Sequence, residues 1–247
     1  MTRVAIIAAM AGELKPFLNA NAKEGWIHEK RGNVELWRLR WPLHQGEWVA
    51  ACAGAGQQAA TRAFAEIEKD GAIDRVFSVG WAGALSESLL CGKAYNVAGV
   101  IDVGTGERFS TYPTSGDFWL VTSPKVANAI EKQRLAAAYN ASLIDMEAAA
   151  IARLAAMRGI PFQCIKGVSD GFSDNLPDFD RFISPQGQFQ LARFVLFVIP
   201  RPWLWPALIR MGENSKKAAQ AITDALLENL DRPGAIAKQN GKPNLTN

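Results

Sequence analysis

The chain has 247 residues, 49% of them hydrophobic, with 27 basic against 24 acidic side chains and a net charge of +3. That length and apolar share suffice for one sizeable core. The near-neutral balance, with no dense Lys/Arg stripe, argues against nucleic acid as the main partner. Cys52, Cys91 and Cys164 stand singly, without metal-ligand spacing, and their odd number speaks against a disulfide framework, so a reducing cytoplasm is expected.

Val4 to Ala9 is a continuous apolar run with β-branched residues, the pattern of a strand covered on both faces and not of a signal peptide. A helix is predicted from Ala11 to about Leu18. Val34 to Arg40 and Glu47 to Cys52 read as strands. GAGQQAATRAFAEIEKDG follows, a glycine turn and an Ala-rich helix closed by Gly71. Arg75 to Val79 is the next strand, leading into the turn GWAGAL, and Ala94 to Val103 another. Residues 104 to 118 are polar and read as a loop. Trp119 to Thr122 is a short strand, and Ser123-Pro124 opens a helix from Lys125 to Tyr139. Leu143 to Arg158 begins extended and becomes a helix ending at Gly159. Phe162 to Val168 is a buried strand followed by the loop SDGFSDNLPDFD. Strands alternating with helices imply an α/β fold, a three-layer α/β/α sandwich around a mixed, mainly parallel sheet. Residues 1–234 form one expected domain, and 235–247 read as a disordered tail.

Acidic residues recur near predicted strand ends: Glu13 after the first strand, Glu147 after LID, and Asp170 at the end of FQCIKGVSD. Ligands of parallel α/β sheets bind beyond those ends, and carboxylates converging there suit acid/base work. Taken singly, each is as readily a helix-start acid favouring the dipole.

Together the segments say more. AAMAGE, GAGQQAA, GWAGAL, IDMEAAAIA and GVSD, in this order, resemble those of the nucleoside phosphorylase and nucleosidase superfamily, especially the methylthioadenosine/S-adenosylhomocysteine nucleosidases. The resemblance covers roughly residues 3 to 175, with a deletion in the middle. It implies that Glu13 holds the attacking water. It implies that Met146 and Glu147 bind the ribose, and that Asp170, oriented by Ser169, protonates the purine as the base departs. Trp81 and Gly83 lie in the turn that contacts substrate. Trp81 stands where relatives carry a serine that helps bind phosphate. The first turn offers no arginine, and Ser78 occupies the place of a second. Hydrolysis is therefore expected over phosphorolysis, with Arg38, Arg40 and Arg108 the remaining candidates for phosphate. Lys166 replaces an arginine near the water site and loses its bidentate fork. The shortened middle puts Val126 where a stacking phenylalanine is expected. The chemistry fits these roles: breaking a ribosyl C–N bond builds positive charge on the sugar, which a carboxylate stabilises, while the leaving base takes a proton.

Other readings stay open. Gly54, Gly56 and Ala59 satisfy a loose dinucleotide fingerprint with Asp74 downstream, but Asp74 precedes its strand instead of ending it. Trp26, Trp37, Trp41 and Trp48 cluster by an early strand pair, as hairpin packing or a dimer surface. The segment 189–211, FQLARFVLFVIPRPWLWPALIRM, is too interrupted to span a bilayer. It reads either as a core helix and Pro-rich turn packed on the body or on a second subunit, or as an apolar lip at a membrane interface, where Trp and Arg suit the headgroup layer. The expected function is hydrolytic release of adenine from a 5′-modified adenosine, without metal or organic cofactor, by a homodimer or larger oligomer. The alternatives are a lipid-linked nucleoside such as adenosylhopane as substrate, with peripheral contact at the inner membrane face, and a catalytically inactive nucleoside-binding module. Trp81 and Lys166 favour the last; joint retention of Glu13, Glu147 and Asp170 opposes it.

Overall fold

The computed structural model describes residues 2–41, 46–112, 116–174 and 177–231; the tail 235–247 lies outside them. Strand β1 (Thr2–Ala8) is apolar from Val4 to Ala8 because both its faces are covered there. Ala5 and Ile7 pack in one core, Val4 and Ile6 in the other. The first core lies under α2 (Gln57–Glu68) and α4 (Ala148–Arg158). The second lies under α1 (Ala11–Ala20) and α6 (Trp205–Asp231). This is the expected layering of helices on both faces of a sheet. Leu14 and Phe17 are the buried apolar residues of α1. Truncating Phe17 to alanine would cost about 3–5 kcal/mol. Trp26, Trp37 and Trp48 pack against the same cluster, with Trp26 edge-on to Phe17 at 5.7 Å, so these tryptophans serve the hairpin.

The sheet is mixed. β4 (Gly46–Cys52), β1, β5 (Arg75–Ala84) and β10 (Phe162–Asp170) run parallel in that order. β6 (Ala94–Asp102), β8 (Phe118–Thr122) and β9 (Leu143–Asp145) form a second parallel block. Antiparallel joints β10–β6 and β5–β9 connect the blocks at both ends, so five strands close into a ring. β5 makes the closure possible by changing partner along its length, pairing β10 from Val76 to Gly83 and β9 at Gly83 and Ala84. A third cluster, under α3 (Ala129–Tyr139), seals the ring on its outer side with Leu85, Ile101, Val121 and Leu135.

Several boundaries differ from expectation. The hairpin of β2 (Ile27–Arg31) and β3 (Val34–Trp41) adds a strand where alternation is weak. The polar loop contains β7 (Arg108–Ser110), an edge strand on β6. GWAGAL is mostly strand, continuing β5. α3 starts at Ala129, capped by the Asn128 side chain accepting the Glu131 N–H, because Asn competes well for free helix-start amides. α6, 27 residues long, has no counterpart among the predicted elements. α5 (Leu191–Val198) is a helix, but not a core helix: none of its eight residues is buried.

Candidate active site

The ends of β1, β5, β9 and β10 open into one cleft of about 360 Å³, within the usual range for small-molecule sites. Of the sequence-predicted site residues, Glu13, Trp81, Gly83, Val126, Met146, Glu147, Ser169 and Asp170 all line it. Lys166 does not.

Glu13 sits in the first turn of α1, where its carboxylate reaches back to accept the Met10 N–H at 2.7 Å. Its other oxygen accepts the Trp81 N–H at 2.7 Å. The approach needs Gly80: a Cβ there would lie 2.6 Å from Glu13 Oε1, and its φ of +144° disfavours any other residue. Burial pushes the Glu13 carboxyl above its ordinary value, against the opposing pull of both amides and of Lys166.

Glu147 stands between β9 and α4. It accepts the Gly56 N–H at 2.6 Å and the Met146 N–H at 3.3 Å. Burial, reinforced by the adjacent Asp145, pushes its carboxyl up to about 8. The glycine turn thus orients a carboxylate in place of cradling a dinucleotide. Asp74 lies at the far end of β5, accepting the Arg3 N–H at 2.6 Å.

Lys166 is fully buried beneath the cleft, 2.8 Å from Asp145. Burial alone would lower its pKa, but Asp145 holds it above the ordinary lysine value. The expected contact with substrate is therefore corrected. The Lys166 ammonium lies beneath the cleft lining and is held by Asp145, whose own oxygens accept from Thr122 Oγ1 at 2.7 Å and from the Ala148 N–H at 2.9 Å. Lys166 acts on the site through charge, across Glu13, Asp145 and Glu147.

Asp170 ends β10 after a register shift between Val168 and Asp170, the kind of irregularity that re-aims a side chain near a site. One oxygen accepts from Ser169 Oγ at 2.6 Å. The other is ion-paired with Lys132, whose Nζ also donates to the Gly171 carbonyl at 2.6 Å. Lys132 lines the cleft at 1% exposure, and no sequence motif marks it. A weaker signal is present: Lys132, Leu135, Ala136 and Tyr139 fall at helical spacing on the inward face of α3. Gly83 leaves room for the pair, since a Cβ there would lie 3.0 Å from Asp170 Oδ2 and 3.2 Å from Lys132 Cε. The aspartate expected to give up a proton alone is half of a pair, with a proton one hydrogen bond away on Nζ.

The far wall comes from the C-terminal segment. Phe179, Phe189 and Phe194 line the cleft and pack against one another with tilted rings, Phe179 and Phe194 at 5.4 Å between centroids. They give the cleft an aromatic wall, whereas Val126, at the place expected for a phenylalanine, offers none. Trp81 packs over Gly12 and donates its indole N–H to the Ser215 carbonyl of α6 at 2.8 Å. Among the described residues, no three His, Cys, Asp or Glu side chains gather so as to hold a metal ion.

This fold is that of the nucleoside phosphorylases and nucleosidases. A family model described as the phosphorylase superfamily matches residues 114–196, the stretch that carries Lys132, Glu147 and Asp170. The chain is similar to the futalosine hydrolase of Helicobacter pylori strain 26695 (16% identity, 93% of this chain and 97% of that one, TM-score 0.70). It is similar to the same species' 5′-methylthioadenosine/S-adenosylhomocysteine nucleosidase with butyl-thio-DADMe-Immucillin-A (16% identity, 94% and 98%, TM-score 0.71). The Arabidopsis thaliana 5′-methylthioadenosine nucleosidase follows at 16% identity, 95% and 98% coverage and a TM-score of 0.68. No curated protein sequence matches the chain.

Proposed function

We propose that the protein hydrolyses the N-glycosidic bond of a 5′-modified adenosine of the methylthioadenosine/S-adenosylhomocysteine type, releasing adenine. One observation carries the reading: Glu13 meets β5 at Gly80 and the Lys132–Asp170 pair meets it at Gly83. Three strand residues span roughly 10 Å, room for a water and a glycosidic bond between the two groups. Glu147 lies in the same cleft, where it binds sugar hydroxyls. Glu13 takes the proton of the water attacking C1′. As the C–N bond breaks, its electron pair leaves with the base, which the Lys132–Asp170 pair protonates at the five-membered ring.

Trp81 and the arginines favour hydrolysis over phosphorolysis. Arg38 is ion-paired with Glu29 and Asp70, Arg40 lies 3.6 Å from Glu47, and Arg108 stacks on Trp119 at 5.6 Å. None lines the cleft. The proposal extends to a homodimer or larger oligomer in the cytoplasm, working without metal or organic cofactor. A second reading, a lipid-linked nucleoside such as adenosylhopane, is favoured by the apolar wall of Phe189, Phe194 and Met211, which suits a bulky apolar 5′ group.

The test is adenine release from methylthioadenosine with and without phosphate, products separated by chromatography. Release without phosphate, with free methylthioribose, supports the hydrolase. Release only with phosphate overturns the reading of Trp81. No release from methylthioadenosine together with release from adenosylhopane in detergent selects the second reading. No release from either substrate leaves a nucleoside-binding module.

A further inference from the structure

We infer that α5 and the first turns of α6 form a docking surface for an anionic lipid bilayer, set at the mouth of the cleft. This goes beyond the nucleosidase reading and stands without it.

The surface is unusual in three respects. Seven of the thirteen exposed large apolar side chains among the described residues fall between Leu191 and Ile209. Leu191 and Val195 of α5 and Ile199 at its C-cap make one outward stripe at helical spacing, with Leu196 beside them at 72% exposure. Phe194 and Phe197 face inward onto Phe182. A helix apolar on all sides belongs in a core or in lipid, and no residue of α5 is buried. A patch of this kind marks an interaction surface.

Charge selects the occupant. From Phe189 to Gly212 the sequence carries Arg193, Arg201 and Arg210 and no acidic residue. Among the described residues none of the three forms an ion pair with a carboxylate. A twofold contact with a second copy would bring these like charges together, whereas anionic headgroups neutralise them. Trp203, at 69% exposure, and Trp205 stand at the bend beside Arg201, the residue types suited to the headgroup layer.

Geometry bears on how the surface sits. No single described helix is long and apolar enough to cross a membrane; Leu191–Val198 and Pro202–Leu230 reach that length and apolarity only as a pair bent by 109°. Since the later turns of α6 are packed in the core through Ile222 and Leu226, the exposed part suits a placement along the interface. Its inner side, Phe189, Phe194 and Met211, is the cleft wall, so docking brings the cleft mouth to the lipid surface.

The test is co-sedimentation of the full chain with phosphatidylglycerol vesicles and with phosphatidylcholine vesicles at low and high salt. The expected result is binding to the anionic vesicles that weakens with salt. Leu196→Glu with Trp203→Glu should cut it on the order of a hundredfold. Arg193→Gln with Arg210→Gln should weaken it about fivefold per charge removed, with unchanged circular dichroism throughout. Absence of binding to phosphatidylglycerol at low salt overturns the proposal. So does equal binding by the folded Leu196→Glu/Trp203→Glu variant, or self-association of the wild type, without vesicle binding, that this variant abolishes.

Discussion

Lys132 and Asp170 form a buried ion pair at the base end of the cleft, the ammonium coming from α3 and the carboxylate from the end of β10. Removing one partner leaves the other charge buried and unpaired, at a cost of about 3–5 kcal/mol. Lys132→Met should therefore destabilise the protein, and Lys132→Met/Asp170→Asn should recover much of the loss. If the pair supplies the proton, both variants lose about 10²–10⁴ in kcat. Denaturant melts and kcat, measured on the same preparations, separate the roles. A stable double variant with normal turnover would remove the pair from the chemistry.

Glu13 accepts two backbone amides with two oxygens. Glu13→Gln has one oxygen to offer and turns an amide donor toward the Met10 or Trp81 N–H. The expected result is a loss of about 1–3 kcal/mol in stability from the unsatisfied donor, together with loss of hydrolysis. In the wild type, activity should fall with acidification on a limb lying above the ordinary glutamate range, because burial raises this carboxyl. Unchanged hydrolysis by the glutamine variant would end the role given to Glu13.

Burial, with the Asp145 charge beside it, pushes the Glu147 carboxyl from an ordinary 4.5 up to about 8. Between those values the folded protein holds a proton that the unfolded chain has released, so this group makes stability fall as pH rises through the window. Glu147→Gln keeps an oxygen for the Gly56 N–H and has no charge to lose. Relative to wild type it should gain stability from about pH 5 to pH 8, by at most about 1.4 kcal/mol per pH unit. Its affinity for nucleoside should drop about two- to tenfold at neutral pH, as for a neutral hydrogen bond, and by more above pH 8, where the wild-type carboxyl is charged. Thermal melts at both pH values and substrate titration check this; a stability difference independent of pH would contradict it.

Gly80→Ala should act like a mutation of Glu13. The added methyl would occupy the place of a carboxylate oxygen, at a φ that side chains avoid, costing about 1–3 kcal/mol in strain. Activity should fall with it, and a fully active Gly80→Ala enzyme would show that the Glu13 carboxylate need not stay where it lies.

Where burial leaves a local imprint, the sequence is readable. The apolar runs of β1 and β10 mark strands covered on both faces, Gly54 and Gly83 mark close approaches, and Gly56 a positive φ. The carboxylates follow strand ends, so the order of motifs along the chain suffices to gather Glu13, Glu147 and Asp170 into one site. The ring closure leaves no such imprint, because it depends on the three residues of β9 meeting the end of β5. Lys132 stays hidden because a lysine in a helix reads as solvated. α5 reads as core from its composition, yet whether an apolar helix is covered depends on what lies outside it. The aromatic wall is not legible because Phe179 sits in a polar loop and Phe189 and Phe194 lie well past the last motif, so nothing local shows that the three rings meet.

The loop from Ser184 to Gln190 is tied to the glycine turn. The Ala55 N–H donates to the Gly187 carbonyl at 2.8 Å, Gln188 Nε2 donates to the Ala53 carbonyl at 2.8 Å, and a Cβ on Gly54 or Gly187 would collide with the facing backbone. The same turn fixes Glu147 through Gly56. The Glu147 carboxylate, which the proposed function assigns to ribose, and the near edge of the aromatic wall are thus one clamped unit, while α5 and the bend after it stand out from the body before α6 returns to the core through Ala218, Ile222 and Leu226. Under the proposed function, α5 could be lengthened or trimmed for a different 5′ group without disturbing the clamp that holds Glu147.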